Sequence, residues 1–196
     1  MKYALVVGGW LLFWMGDATA QLRAAGYAHG TDHCYNFQAP LGWDMDANAM
    51  ASEGVPAVFH PPGTAWRQTW TMVYTRPVPK AKDDKDPIRT QIEGVLAQYE
   101  QDADLLTAKR IGTLEADLGA VGEVWEFTGY RHGGSEVGVY FNGPETVNFF
   151  VAPILRTADP AVARTALFDV AASYVQRNDC VPCEASGACR NAPPGR

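Results

Sequence analysis

The central stretch of this chain is residues 121–155, VGEVWEFTGYRHGGSEVGVYFNGPETVNFFVAPIL. Apolar side chains alternate with other residues at Trp125 and Phe127, and the same alternation returns over 137–141 and over 147–151. A period of two residues is typical of β-strands, because successive side chains of a strand point to opposite faces. The stretch therefore predicts three consecutive strands that share one apolar face.

Glycine-containing turns separate these three predicted strands. Gly133-Gly134 lies in the first connection and Asn142-Gly143 lies in the second. Glycine accepts the positive φ that tight turns require, whereas Pro144 favours a second loop longer than two residues. Because short turns join antiparallel neighbours, we expect an antiparallel meander whose apolar face must be covered.

Two amphipathic helices are available to cover that face. Each is predicted to begin at an Asp-Pro pair, because aspartate accepts from the free amides of a helix start and proline fits the first turn. The first helix is expected from Asp86-Pro87 to near Ala103, and the second from Asp159-Pro160 to about Arg177. Their apolar residues recur at helical spacing, which favours packing on the sheet.

Shorter strands are predicted on either side of the first helix. They lie at Tyr35–Phe37, Val55–His60 and Thr71–Val78 before it, and around Leu105–Ile111 after it as an edge strand. The order of strands, helix, strands and helix predicts an α+β fold, with a mostly antiparallel central sheet covered by two main helices.

The first 20 residues have the layout of a secretory signal peptide. Lys2 precedes an apolar run over 3–15, and Ala18-Thr19-Ala20 supplies a small-residue cleavage site. The apolar run is shorter than the roughly 20 residues of a membrane span. A retained N-terminal anchor is the alternative. We expect a soluble product without a membrane span, located in the periplasm or secreted.

The rest of the chain divides into three parts. Residues 21–33 are small and polar and are expected to form a flexible N-terminal arm. Residues 34–178 are predicted to form a single domain, and 179–196 a cysteine-containing C-terminal tail. The formal net charge of −6 disfavours nucleic acid as a partner, because nucleic-acid-binding proteins usually present a basic surface.

Four cysteines follow the signal peptide: Cys34, Cys180, Cys183 and Cys189. In an oxidising compartment two disulfides are expected, with Cys34 paired to Cys180 or Cys183 and the remaining two closing a local loop. Two alternatives stay open. The CVPC sequence at 180–183 has the spacing of a redox-active pair, and the four thiols together are the ligand set of a zinc site.

No sequence motif indicates a catalytic centre, a cofactor or a metal ion. The four histidines lack partners at the spacing of metal ligands, and the chain has no glycine loop typical of phosphate or dinucleotide binding. Residues 133–138 approach the nucleophile elbow of serine hydrolases, but they join two strands rather than a strand and a helix. Asp44, Asp46 and Asn48 have the spacing of a calcium loop, yet Ala49 replaces its turn glycine. A solvated acidic turn is the simpler interpretation.

Two pairs of residues are candidates for binding. Trp66 and Trp70 frame the loop after Pro61-Pro62-Gly63, where aromatic side chains can form a shelf with a large contact area. The alternative is that they close the end of the sheet. Arg131 and His132 lie in the glycine-rich hairpin between the first two strands of the meander.

Several segments together carry a resemblance to a known family. They are Phe37, PLGW at 40–43, FHPPGTAW at 59–66, NFFV at 148–151 and the Asp159-Pro160 helix start. This combination resembles the PsbP-like fold family, which includes the photosystem PsbP proteins and DcrB-like bacterial envelope proteins. The resemblance implies a central antiparallel sheet between helices and a non-catalytic, accessory or binding role. The metal-linked residues of the photosynthetic members have no counterpart here.

Three functions are carried forward as hypotheses. The first is an exported, non-enzymatic accessory or binding protein of the bacterial envelope, whose partner is an unknown envelope protein or small ligand. The second is a thiol–disulfide oxidoreductase that uses Cys180 and Cys183. The third is a secreted inhibitor or immunity protein, whose acidic surface would suit a basic target.

Overall fold

A computed structural model describes residues 23–30, 33–99, 106–131, 133–154 and 159–177. In chain order its elements are β1 (Ala25–His29), β2 (Cys34–Gln38), β3 (Asp44–Met50), β4 (Val55–His60), β5 (Val73–Pro79), α1 (Pro87–Tyr99), β6 (Thr107–Glu115), β7 (Val121–Thr128), β8 (Ser135–Asn142), β9 (Thr146–Ile154), α2 (Pro160–Ala172) and β10 (Val175–Gln176).

Within these ranges, seven strands form one antiparallel sheet in the order β3-β4-β5-β9-β8-β7-β6. The predicted meander lies in it as three neighbouring strands, with Val124 of β7 opposite Val139 of β8, and Val139 opposite Phe150 of β9. The α+β class is confirmed. The predicted edge strand is also confirmed, because β6 pairs on one side only, with β7.

Both faces of this sheet are covered, whereas the sequence predicted one apolar face. On the first face, α2 and a small antiparallel sheet of order β1-β2-β10 pack over residues such as Val139 and Phe150. On the second face, Ile88 and Ile92 of α1 pack with residues of β8 and β9, including Tyr140. Every side chain from 146 to 152 is buried, since β9 lies in the middle of the sheet.

The N-terminal arm expected over 21–33 contains a strand. β1 pairs with β2 along its whole length, from Ala25 opposite Gln38 to His29 opposite Cys34. The sequence of β1 is short and weakly apolar, so its pattern did not indicate a strand. It is held instead by backbone pairing, and Ala28 is buried in the core of the first face.

The acidic turn predicted at 44–49 is also a strand. β3 is the edge strand beyond β4, with Asp44 opposite His60. An edge strand has one unpaired side, so alternate acidic residues are compatible with it. The spacing of Asp44 and Asp46 is that of one face of an extended strand, and Met45 between them packs against the core.

The second helix ends at Ala172, five residues before the predicted end near Arg177. Ser173 ends it, because its hydroxyl donates to the Val170 carbonyl oxygen at 2.6 Å and accepts from the backbone amide of Gln38 at 2.7 Å. The chain then forms β10, which pairs with β2. None of the helices in the described ranges is long and apolar enough to cross a membrane.

Candidate functional site

The loops that carry the predicted binding residues lie at one end of the large sheet, here called the upper end. β5 begins there and β9 ends there, because Tyr74 is opposite Val151. β8 begins and β7 ends at the same place, since Ser135 is opposite both Ile154 and Thr128. The β4–β5 loop and the β7–β8 hairpin therefore project from the same end.

The β4–β5 loop presents the two tryptophans differently. Trp66 lies in a short 3-10 turn over 66–68 and is partly buried, with the guanidinium of Arg67 4.9 Å from its ring centroid. Trp70 is 63% exposed. The loop around it is held by Thr69, whose hydroxyl donates to the Thr71 carbonyl oxygen and accepts from the Thr71 amide, both at 3.1 Å.

The β7–β8 hairpin carries Arg131, which is exposed, whereas His132 lies outside the described residues. Gly133 has a φ of 73°, and its amide donates to the Tyr130 carbonyl oxygen at 2.8 Å, which closes the turn. In the sheet, β9 separates this hairpin from β5, the strand that follows Trp70. The structure thus brings Trp70 and Arg131 to the same end of the molecule, on separate loops.

A second group of residues at the upper end was not predicted from the sequence. Glu136 is the second residue of β8, and its side chain lies on the face that α1 covers, because its register partners there are Phe127 and Pro153. Four tyrosines belong to the same region, and we call them, with Glu136, the tyrosine site. They are Tyr74, Tyr99, Tyr130 and Tyr140.

Each tyrosine comes from a different part of the fold. Tyr74 lies at the start of β5, and Tyr140 lies on β8 on the same face as Glu136. Tyr99 is the last residue of α1, and its ring meets the Tyr130 ring edge-on, with centroids 5.7 Å apart at an interplanar angle of 83°. This contact joins the end of α1 to the hairpin that precedes β8.

Burial dominates the electrostatics of the tyrosine site. Burial raises the pKa of Glu136 to about 7. Burial also raises the pKa of Tyr74, Tyr130 and Tyr140, and the charge of Glu136 raises each of them further. The carboxylate and these hydroxyls are therefore within electrostatic reach of one another in a poorly solvated environment.

Two polar groups of the tyrosine site lack partners within the part of the chain that the structure describes, and one of them, Glu136, is only partly buried. Among the described residues, Glu136 forms no hydrogen bond and no salt bridge. The hydroxyl of Tyr130 is buried and has no hydrogen-bond partner within the same ranges. Buried polar groups in proteins are usually paired, so the unpaired hydroxyl of Tyr130 distinguishes this location from an ordinary core.

A shallow charged cavity of about 140 Å³ lies between α1 and the edge of the sheet. Arg110 contacts Glu123 at 3.5 Å, and the indole nitrogen of Trp125 donates to the same carboxylate at 3.0 Å. Asp86 and Arg89 form a second, exposed pair at 3.4 Å. The charged side chains that line this cavity already form ion pairs with one another. The cavity is therefore a weaker candidate for a binding site than the upper end.

The zinc site and the redox pair, which are the alternatives to two disulfides, concern cysteines that lie mostly beyond the described ranges. Within those ranges, no three His, Cys, Asp or Glu side chains form a group that could hold a metal ion. Cys180, Cys183 and Cys189 lie outside the described residues. Cys34 is fully buried in β2, and its carbonyl oxygen accepts from the Arg177 amide at 3.1 Å.

Comparison with solved structures identifies the fold. The structure is similar to that of cyanobacterial PsbP (CyanoP) from Synechocystis sp. PCC 6803, with a TM-score of 0.50 and 16% sequence identity, over 85% of this chain and 99% of that one. The protein therefore has a PsbP-like fold, as the sequence indicated. A crystal structure from Bacteroides thetaiotaomicron VPI-5482 is also similar, with a TM-score of 0.44 and 15% identity over 81% of this chain and 50% of the other.

No family model matches the sequence, and no curated protein matches it.

Proposed function

We propose that the protein is an exported, non-enzymatic accessory protein of the bacterial envelope, which binds a partner protein or small ligand through the upper end of its sheet. The signal-peptide layout of residues 1–20 supports export. The PsbP-like fold supports an accessory role. The solved structure that matches this protein, over 99% of that structure's own chain, is a PsbP protein.

The exposure of Trp70 is the observation on which the proposed binding site rests. An indole that is 63% exposed leaves a large apolar area in contact with water, and binding a partner would remove that area from water. The hydrogen bonds between Thr69 and Thr71 keep the loop ordered before binding, which lowers the entropy cost of association. Arg131, from the neighbouring hairpin, adds a cation at the same end.

Capture from a periplasmic extract tests this proposal, with the mature protein as bait and mass spectrometry as the readout. We expect a set of proteins that the wild type enriches and that Trp70→Ala enriches at least tenfold less. Leu118→Ala is the matched control, because Leu118 is 90% exposed but lies in the β6–β7 connection at the opposite end of the sheet. Equal enrichment by wild type and Trp70→Ala would remove Trp70 from the binding site.

Export has its own test. N-terminal sequencing of the protein purified from a periplasmic fraction is expected to begin at Gln21, after cleavage at Ala20. A protein that keeps Met1 and sediments with membranes would instead support the retained N-terminal anchor.

We also propose that a disulfide joins Cys34 to Cys180 or Cys183. Cys34 is fully buried, and none of the cysteines in the described ranges is free. Its backbone is hydrogen-bonded to Arg177, and Cys180 follows Arg177 by three residues in the sequence. A bridge there would fix the tail against β2, and the oxidising environment of an exported protein favours it.

A further inference from the structure

The connection between β6 and β7 is a turn over residues 116–120, here called the hairpin tip. At its base Ala116 is buried in the core of the first face, and Ala120 packs against the same core. The Ala116 amide donates to the Ala120 carbonyl oxygen at 2.7 Å, and the Gly119 amide donates to the Ala116 carbonyl oxygen at 3.1 Å. Both ends of the turn are therefore fixed to the sheet.

Leu118, in the middle of the hairpin tip, is unfavourable to the fold in two respects. Its φ is 59° and its ψ is 20°, and among the described residues it is the only non-glycine with a positive φ. This left-handed conformation crowds the Cβ of a leucine, whereas glycine and asparagine adopt it readily. Leu118 is also 90% exposed, which leaves its apolar surface in water. The fold itself therefore gives no reason for a leucine at this position.

The strain at Leu118 distinguishes it from other exposed leucines, which are common on protein surfaces. Residues held in sparsely populated backbone conformations cluster at binding and catalytic sites. A second apolar residue, Val121, begins β7 and is 61% exposed. Glu115 and Asp117 precede Leu118, are both exposed, and form no salt bridge with any described residue. The hairpin tip thus presents an apolar projection beside negative charge that the described residues do not neutralise.

We propose that the hairpin tip docks into a second protein, which accepts Leu118 in an apolar pocket rimmed by lysine or arginine side chains. Docking removes the apolar surface of Leu118 from water, and cations at the rim pair with Glu115 and Asp117. The same two carboxylates repel anionic lipid headgroups and nucleic acid, which disfavours both as partners. Because the base of the turn is already fixed, little conformational entropy is lost on binding.

The hairpin tip is separate from the binding site proposed at the upper end. β7 begins at the hairpin tip and ends at the upper end, so the two surfaces lie at opposite ends of the sheet. The inference uses neither Trp70 nor Arg131, and each proposal can fail without the other. A protein that binds through the hairpin tip should still be captured by Trp70→Ala.

Site-specific photo-crosslinking identifies the partner. The probe is p-benzoylphenylalanine in place of Leu118 in the full chain, and the control carries the same probe in place of Val162, which is 44% exposed on α2. After irradiation of cells that express the protein, we expect a product with another protein from position 118 only, and a crosslinked peptide that contains apolar residues beside lysine or arginine. The proposal is overturned if position 118 gives no product, if it gives only a second copy of this chain, or if position 162 gives the same product.

Titration of that partner in purified form decides whether the leucine side chain is responsible. Leu118→Asn should weaken binding about tenfold or more, because it removes the apolar surface, whereas Leu118→Met keeps an apolar side chain and should bind within about threefold of the wild type. Raising the salt concentration from about 0.05 M to about 0.5 M should weaken binding severalfold, because salt screens Glu115 and Asp117 from the rim. Equal binding by Leu118→Asn and the wild type, or an affinity independent of salt, would overturn the proposal.

Urea denaturation tests whether Leu118 is unfavourable to the fold. Asparagine accepts the left-handed conformation, so Leu118→Asn should raise the urea midpoint by roughly 0.5 M. The higher midpoint would also show that any loss of binding does not come from unfolding. A midpoint below that of the wild type would mean that Leu118 stabilises the fold, which contradicts the reason given for its role in docking.

Discussion

The ring of Tyr140 lies over the backbone of Gly138, two residues earlier on β8. A methyl group added at Gly138 would come within 2.6 Å of Cε2 of Tyr140 and within 3.0 Å of its hydroxyl oxygen. Tyr140 is 1% exposed, so its ring has little room to move. The absence of a side chain at Gly138 thus lets Tyr140 extend along the strand towards Glu136.

Substitution of Gly138 by alanine should therefore destabilise the protein. We expect Gly138→Ala to lower the free energy of unfolding by about 1–3 kcal/mol, because the added methyl group displaces a buried ring. The measurement is urea denaturation followed by tryptophan fluorescence. Gly112→Ala is the control, because a methyl group at Gly112 of β6 has no heavy atom within 4 Å. Equal effects of the two substitutions would show that the close approach of Tyr140 is unimportant.

Asn148 connects the large sheet to the small one through buried hydrogen bonds. Its side-chain nitrogen donates to the Tyr174 hydroxyl at 3.0 Å and to Oε1 of Gln176 at 3.2 Å, and its oxygen accepts from Thr146 at 2.9 Å. Gln176 in turn donates to the Cys34 carbonyl oxygen at 3.1 Å. This network attaches β9 to β10 and, through Gln176, to β2.

Replacing Asn148 by leucine leaves the hydroxyl of Thr146 without its acceptor and removes one hydrogen bond from each of Tyr174 and Gln176. We expect Asn148→Leu to lower the free energy of unfolding by about 2–4 kcal/mol, since buried polar groups that lose a partner are not resolvated. Asn142→Leu is the control at the exposed end of β8, where the side chain contacts Lys80 in solvent, and it should change stability by less than about 1 kcal/mol. Urea denaturation of both variants decides whether the network contributes this much.

Local pattern was sufficient to predict the centre of the fold. The alternation at Trp125 and Phe127, with its repeats, predicted β7, β8 and β9. The Asp-Pro pairs predicted the starts of both helices. At the second helix, the side chain of Asp159 accepts hydrogen bonds from the amides of Ala161 and Val162. These features depend on residues close in sequence. The strands that the sequence missed, which are β1, β3 and β10, depend on pairing with a partner strand.

The tyrosine site could not be predicted because it depends on a tertiary relationship. Alternation placed Val137 and Val139 on one face and Glu136 and Tyr140 on the other, and the sequence predicted only one apolar face. The helix α1 packs over that face, and Glu136 is partly buried there. The available signal was an acidic residue at the start of a central strand, on the same face as a tyrosine.

The proposed disulfide is tested by peptide mapping of the protein under non-reducing conditions. A peptide that links Cys34 to Cys180 or Cys183 is expected, together with a second bridge between the remaining two cysteines. Cys34→Ser should lower the free energy of unfolding by about 4 kcal/mol, because the bridge closes a long loop in the unfolded chain. A full count of free thiols in the native protein would contradict both the pairing and the predicted loss of stability.

The ionisation of Glu136 should make stability depend on pH in a defined direction. Burial raises its pKa from 4.5 to about 7, so the folded protein favours the neutral carboxyl. Its contribution to stability is fully present below pH 4.5 and is lost as the pH rises through 7, by up to about 3 kcal/mol.

Glutamine stays neutral at every pH, so Glu136→Gln should match the wild type near pH 4.5 and be more stable by up to about 3 kcal/mol at pH 8.5. The tyrosines around Glu136 stay protonated at both pH values and do not contribute to the difference, because burial raises the pKa of Tyr74, Tyr130 and Tyr140 above 10. Urea denaturation at both pH values measures the difference between Glu136→Gln and the wild type. If Glu136→Gln differs from the wild type by the same amount at both pH values, the carboxylate of Glu136 is solvated and burial does not raise its pKa.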